Sequence, residues 1–169
     1  MKLLFLTGSS NTTKKYRGQS MYKFYLFSYG TLMDVKIQKI LFEQEIAMVD
    51  ALLEDYKLYA DTDGYFYVKK YVGNVIHGKI LELTKEQMWI ADQWEDIPMY
   101  LRKKVSIKLK NGENRKAFIY EKNNVQSEIA VNYDSLSNLP IEEVIKEAQK
   151  IKEIIRLRIK DKSFVYGDI

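Results

Sequence analysis

The sequence predicts an α+β fold: a small mixed, barrel-like β-sheet with flanking helices. Three observations carry that expectation. Runs rich in β-branched and aromatic residues outnumber helical ones, many of them are joined by short turns, and a few separate stretches have the period and caps of amphipathic helices. The chain has 169 residues, enough for one domain with its own hydrophobic core.

Residues 1–20 read as a flexible N-terminal extension, because Gly8 to Ser20 is rich in Ser, Thr, Asn and Lys and has no periodicity. An edge strand over Lys2–Thr7 is the competing reading. A single domain is expected over residues 21–169. Tyr22–Tyr29 is aromatic-rich and predicts a buried strand. Asp34 is placed to cap a helix over Val35–Phe42, with Ile37, Ile40 and Leu41 on one face. Ala47–Leu53 and Tyr56–Ala60 read as two strands, followed by a turn at Asp61-Thr62-Asp63-Gly64. Tyr65–Tyr71 and Val75–Leu83 read as two more, and Gly78 inside the second marks a close approach of another backbone or a ligand.

Thr84 and Gln87 form the signature of a capping box, which starts a second helix that Pro98 halts. Arg102–Leu109 alternates, Asn111-Gly112 is a hairpin signal, and Lys116–Tyr120 is the returning strand. A long amphipathic helix is expected over Ile141–Ile159, after Asn138–Pro140. Its apolar stripe comprises Val144, Ile145, Ala148, Ile151 and Ile155.

Composition removes several kinds of chemistry. Without Cys there are no disulfides, thiolate nucleophiles or Cys-ligated metals, and with His77 as the one histidine there is no multi-His metal site. Its position between Ile76 and Gly78 makes His77 an exposed strand residue. The net charge of +4 is mild and dispersed, so no nucleic-acid partner is expected. No apolar run reaches the roughly 18 residues that span a bilayer, and Met1–Leu6 is too short for a secretory signal core. The expected location is the cytoplasm, with no membrane association, no metal and no cofactor.

Two motifs remain. Phe27-Ser28-Tyr29-Gly30-Thr31-Leu32-Met33 reads as a strand that ends at Gly30 and leaves backbone N–H groups without sheet partners, able to hold a carboxylate or an oxyanion. An ordinary strand-to-helix turn is the competing reading. Asp92-Gln93-Trp94-Glu95 places Asp92 and Glu95 on one helix face. Burial beside Trp94 and the negative helix end would both push the Glu95 carboxyl upward, toward exchange of a proton near neutrality. The alternative is a surface Glu95 paired with Arg102 or Lys103. Asp92 is expected to fix the helix through backbone or Tyr groups. Tyr100 and Arg102 could orient the following loop or contact a carboxylate, and for Tyr100 core packing is the simpler alternative. Lys152, Arg156 and Lys160 form a basic helical stripe, read as a solvated face.

Tyr29-Gly30-Thr31-Leu32, Val75-Ile76-His77-Gly78-Lys79-Ile80, Asp92-Gln93-Trp94-Glu95 and Tyr100-Leu101-Arg102, in that order, resemble the gamma-glutamylcyclotransferase-like family, in its branch of gamma-glutamylamine cyclotransferases and plant avirulence-induced proteins. The resemblance covers roughly Tyr22 to Tyr120. It implies a small mixed barrel, a substrate-binding loop formed by Tyr29, Gly30, Thr31 and Leu32, and Glu95 as catalytic acid/base. Asp92 is then structural support, and Tyr100 and Arg102 support the pocket or bind substrate. The implied reaction turns a small γ-glutamyl amide or amine into 5-oxoproline and free amine, without metal or cofactor. The alternative is a non-catalytic small-molecule binding protein on the same scaffold. An RNA-associated adaptor using the basic helix is a third reading. Many relatives carry a Pro-containing segment where this chain has Tyr65-Phe66-Tyr67-Val68, and the region after Tyr120 has no assigned counterpart.

Overall fold

The computed structural model describes residues 22–62, 66–97, 99–123, 125, 129–131 and 141–160. The expected extension over residues 1–20 lies outside these, as do Asp63 and Gly64 of the expected turn, Pro98, and Asn138–Pro140. The described chain contains the strands β1 (Phe24–Ser28), β2 (Met48–Ala60), β3 (Phe66–Leu83), β4 (Tyr100–Leu109), β5 (Asn114–Lys122) and β6 (Ile129–Ala130). Its helices are α1 (Val35–Phe42), α2 (Lys85–Trp94) and α3 (Ile141–Lys160). None is long and apolar enough to cross a membrane.

The strands run in the order β3-β1-β5-β4-β2-β6, and β2 pairs back onto β3, so five of them close into a barrel. The sheet is mixed because β1 runs parallel to β5, at Leu26↔Phe118, while the other pairs are antiparallel. Alternation along the strands sorts side chains into two cores. Phe27, Leu53, Ile76, Ile80, Ile107 and Ile119 belong to one cluster, built almost wholly from strand residues. Leu26, Leu81 and Leu83 face the other way and join Ile37, Leu41, Met88, Ala148 and Ile155 from the helices. Each such fully buried aliphatic side chain contributes roughly 1.5–3 kcal/mol.

The four strands read between residues 47 and 83 are two. β2 is continuous across Glu54-Asp55-Tyr56 because Asp55 takes a left-handed φ of 61° and forms a bulge there. Opposite it, Gly73 has φ 86° and its N–H donates to Asp55 Oδ1 at 2.9 Å. The bulge bends both strands without ending them, and the polar residues that read as loops in the sequence are the ones it uses. Gly78 is required by β1: a Cβ there would lie 2.4 Å from Ser28 O and 2.6 Å from the Phe27 ring.

Helix boundaries follow their caps. Asp34 Oδ1 accepts from Lys36 N at 2.7 Å, and α1 begins one residue after the cap. Thr84 Oγ1 accepts from Gln87 N while Gln87 Oε1 accepts from Thr84 N, the reciprocal capping box. α2 stops at Trp94, before Pro98, because Asp96 adopts a left-handed φ of 55° and Ile97 N turns back to Asp92 O.

Candidate active site

β1 ends beside Lys79, and the chain then makes a single 3-10 turn over Thr31–Met33 before α1. The turn is closed by Met33 N to Gly30 O and Asp34 N to Thr31 O. Among the described residues, the N–H groups of Gly30, Thr31 and Leu32 have no backbone or side-chain acceptor. A Cβ at Gly30 would meet no heavy atom within 4 Å, so the approach to these donors is open. The loop is held from behind. Gln38, fully buried on α1, donates through Nε2 to Leu32 O at 2.8 Å and accepts from Ile46 N at 2.9 Å. The Leu32 side chain is buried in the helix-side core. The Tyr29 ring is buried too, and its hydroxyl donates to Tyr120 O at 2.9 Å. What Tyr29 and Leu32 expose is therefore main chain and ring wall.

The loop lines a cavity of about 560 Å³, and so do Trp94, Glu95 and Tyr100. That volume is within the usual range of small-molecule sites. Glu95 is half-buried at the C-cap of α2, on the cavity wall. Burial, and secondarily the Asp92 carboxylate, raises it from its ordinary 4.5 to about 7. Neither candidate surface partner reaches it: Arg102 pairs with Asp92 and Lys103 with Glu121. Among the described residues Glu95 forms no ion pair. Its charge is felt by Tyr29 and Tyr120, whose hydroxyls are pushed well above their usual value mainly by their own burial.

Asp92 occupies a different environment one turn earlier. Tyr120 Oη donates to Asp92 Oδ1 at 2.7 Å, and Arg102 Nε approaches the same oxygen at 3.1 Å. Burial raises the Asp92 carboxyl, and these two partners pull it back. Among the described residues one helix face thus carries a partnered carboxylate and an unpartnered one, and the second is the better suited to exchanging protons.

Of the residues singled out in the sequence, Tyr29, Gly30, Thr31, Leu32, Glu95 and Tyr100 come together around the cavity. Tyr100 Oη donates to Phe66 O at 3.1 Å, which ties β4 to the start of β3. Arg102 is not brought to the cavity wall. Its guanidinium lies on Asp92 and over the Phe118 ring, so it positions Asp92 rather than reaching into the hollow. His77 is exposed on β3. In the basic stripe, Lys152 pairs with Glu43 and Arg156 with Glu153.

Sequence reasoning missed Gln38, Tyr120 and Lys122. Gln38 was detectable as a polar residue in the apolar stripe of α1. Tyr120 reads as one more strand aromatic until β5 is placed beside α2. Lys122 lines the cavity and pairs with Asp61 at 2.5 Å, with both side chains about 95% buried, a juxtaposition across 61 residues that no local pattern announces. Among the described residues, no group of three or more His, Asp or Glu side chains is arranged to hold a metal ion.

A family model described as gamma-glutamyl cyclotransferase, AIG2-like, matches residues 26–137. Among solved structures, the chain is similar to an Arabidopsis thaliana protein determined in solution, with a TM-score of 0.58 and 22% identity over 80% of this chain and 95% of that one. A protein named gamma-glutamyl cyclotransferase gives a TM-score of 0.58 at 16% identity, covering 80% of this chain and 99% of that one. A Homo sapiens protein described as uncharacterized gives 0.55 at 16% identity, covering 79% and 98%. At these identities the structures share the fold. No curated protein matches the chain in sequence.

Proposed function

The chain belongs to the gamma-glutamyl cyclotransferase, AIG2-like family, and from that premise we propose that it converts a small γ-glutamyl amide or amine derivative into 5-oxoproline and a free amine. The observation that carries this reading is the Glu95 carboxyl, half-buried, unpartnered among the described residues and raised to about 7, on the same cavity as the N–H groups of Gly30, Thr31 and Leu32.

The reaction is an intramolecular aminolysis. Glu95 takes a proton from the substrate's α-amino group as the nitrogen attacks the γ-carbonyl carbon. The new C–N bond closes a five-membered ring, and the carbonyl oxygen becomes an oxyanion facing the loop N–H groups. The original amide C–N bond then breaks, and Glu95 returns its proton to the departing amine. The carboxyl ends as it began. Both reacting groups belong to one molecule, so folding it into a near-attack geometry supplies much of the rate. A carboxyl near 7 is half ionised at neutral pH, which suits a group that must both accept and donate.

Incubation with γ-glutamyl amides, followed by detection of 5-oxoproline, tests the proposal. The expected result is turnover in the wild type and a loss of roughly 10²–10⁴ in Glu95→Gln. Equal turnover by Glu95→Gln would reject the mechanism, and no 5-oxoproline from any γ-glutamyl amide would reject the reaction.

A further inference from the structure

Lys122 is the one cation among the described residues that line the cavity. The other charged side chains on that wall are the carboxylates of Glu95, Asp96, Glu143 and Glu147. Lys122 is about 95% buried, as is Asp61, whose Oδ2 accepts from Lys122 Nζ at 2.5 Å. Asp61 is itself fixed, because its Oδ1 accepts from Thr62 N at 2.7 Å and from Thr62 Oγ1 at 3.2 Å. The strand behind the ammonium is equally constrained. Lys122 pairs with Tyr100 across the β4–β5 ladder, and just beyond it Asn123 N donates to Met99 O at 2.7 Å. Burying such a pair gains little stability over apolar residues of similar size, since both charges lose their water. On a cavity wall, it presents a cation in a fixed place.

We propose that Lys122, held by Asp61, binds the α-carboxylate of the γ-glutamyl group and so distinguishes that group from acyl chains that lack a carboxylate. The inference rests on the cyclotransferase reading and assigns a specificity-determining residue to that site. In the proposed reaction the loop N–H groups face the oxyanion and Glu95 faces the α-amino group, which leaves the α-carboxylate still to be held. The acidic side chains of the wall repel it. Tyr120 and Lys122 are two residues apart on β5 and both line the cavity, so they share a strand face at a spacing of roughly 7 Å. Tyr120 reaches Asp92, one helical turn before Glu95, so Lys122 stands to one side of the acid rather than against it. An ammonium has three protons, so its bond to Asp61 is compatible with a second carboxylate. The resulting hydrogen bond is charge-assisted and, with the ammonium already fixed, costs little ordering of the lysine stem.

Two amides of one leaving amine test this: a γ-glutamyl amide, and a γ-aminobutyryl amide that keeps the amine and the carbonyl and lacks only the α-carboxylate. The first closes to 5-oxoproline and the second to pyrrolidinone. In wild type kcat/KM should favour the γ-glutamyl amide. In Lys122→Met the ratio of the two should fall roughly 10- to 100-fold, the scale of a hydrogen bond between charged groups. Lys122→Met leaves Asp61 buried without its partner, so the double variant Asp61→Asn/Lys122→Met, which removes both charges, is measured beside it and should lose the same preference. A lysine that only braced the fold would lower both substrates together and leave the ratio as it was. A wild-type ratio near one, or a ratio unchanged in the double variant, overturns the proposal. Binding of 5-oxoproline and of pyrrolidinone to wild type and to the double variant, by calorimetry, needs no turnover. If neither amide is turned over, the reaction is wrong, and the lactams still decide the role of Lys122: tighter binding of 5-oxoproline that is lost in the double variant supports it, and equal binding of the two rejects it.

Discussion

Trp94 Nε1 donates to Thr31 Oγ1 at 3.0 Å, across 63 residues of sequence. The bond joins the end of α2, where Glu95 sits, to the loop that presents the N–H groups. Acid and anion cradle are therefore positioned against each other by a direct contact between their neighbours in sequence, rather than through the barrel as a whole. A reaction that depends on near-attack geometry is sensitive to such a contact.

Trp94→Phe keeps most of the ring and removes the donor. The expected stability loss is about 0.5–1.5 kcal/mol by denaturant unfolding. kcat/KM should fall by roughly ten-fold or more because the loop is no longer registered to Glu95. A loss of stability with kcat/KM intact would make the bond merely structural.

Glu95 should also appear in stability measurements. Its folded pKa of about 7 lies above the ordinary 4.5. The group therefore favours the folded chain fully below pH 4.5, and that contribution disappears as pH rises through about 7. Glu95→Gln lacks this dependence. Relative to wild type it should gain about 1–3 kcal/mol between pH 4 and pH 8, after discounting for the partial exposure of the residue. Parallel stability curves for the two proteins would show that the carboxyl is not perturbed.

Asp92 raises Glu95 by its negative charge. In Asp92→Asn the acid limb of the pH–rate profile should move to lower pH, toward the ordinary carboxyl range. Movement to higher pH, or no movement in a folded variant, would contradict the assignment of that limb to Glu95. Tyr120→Phe removes the 2.7 Å donor to Asp92, and unfolding should show a cost of about 1.5–3 kcal/mol, the range for hydrogen bonds to charged groups.

Gly78→Ala tests the barrel seam. The added carbon would meet Ser28 O at 2.4 Å, and backbone in a paired strand gives way poorly. Thermal or denaturant unfolding should show a loss of about 1–3 kcal/mol or more. The displaced Ser28 immediately precedes the Tyr29–Leu32 loop proposed to bind substrate, so activity should fall with stability.

Much of this molecule is legible one segment at a time. Asp34 and the Thr84/Gln87 pair announce α1 and α2 to the residue, and Asn111-Gly112 announces the β4–β5 hairpin, because caps and turns act within four residues. The strands broken at Asp55 and Gly73 were misread because a bulge uses the same residues as a loop and differs only in what lies across the ladder. Arg102 contacts a carboxylate, one of the roles its sequence position allowed, but which carboxylate was not legible. Alternation assigns it to a face of β4, but only the packing of α2 against β5 decides that Asp92 is there to meet it.

The sequence by itself determined the strand-rich α+β class, the helix starts and the two motifs that place this chain in its family. Those properties rest on local hydrogen bonding and hydrophobic period, which neighbouring residues settle among themselves. Only the tertiary structure decided that, among the described residues, Glu95 rather than Asp92 lacks a partner, that Gln38 and Trp94 brace the loop, and that α3 adds Glu143 and Glu147 to the cavity. A carboxyl's proton affinity depends on water excluded and charges brought near, and both are supplied by segments distant in the chain.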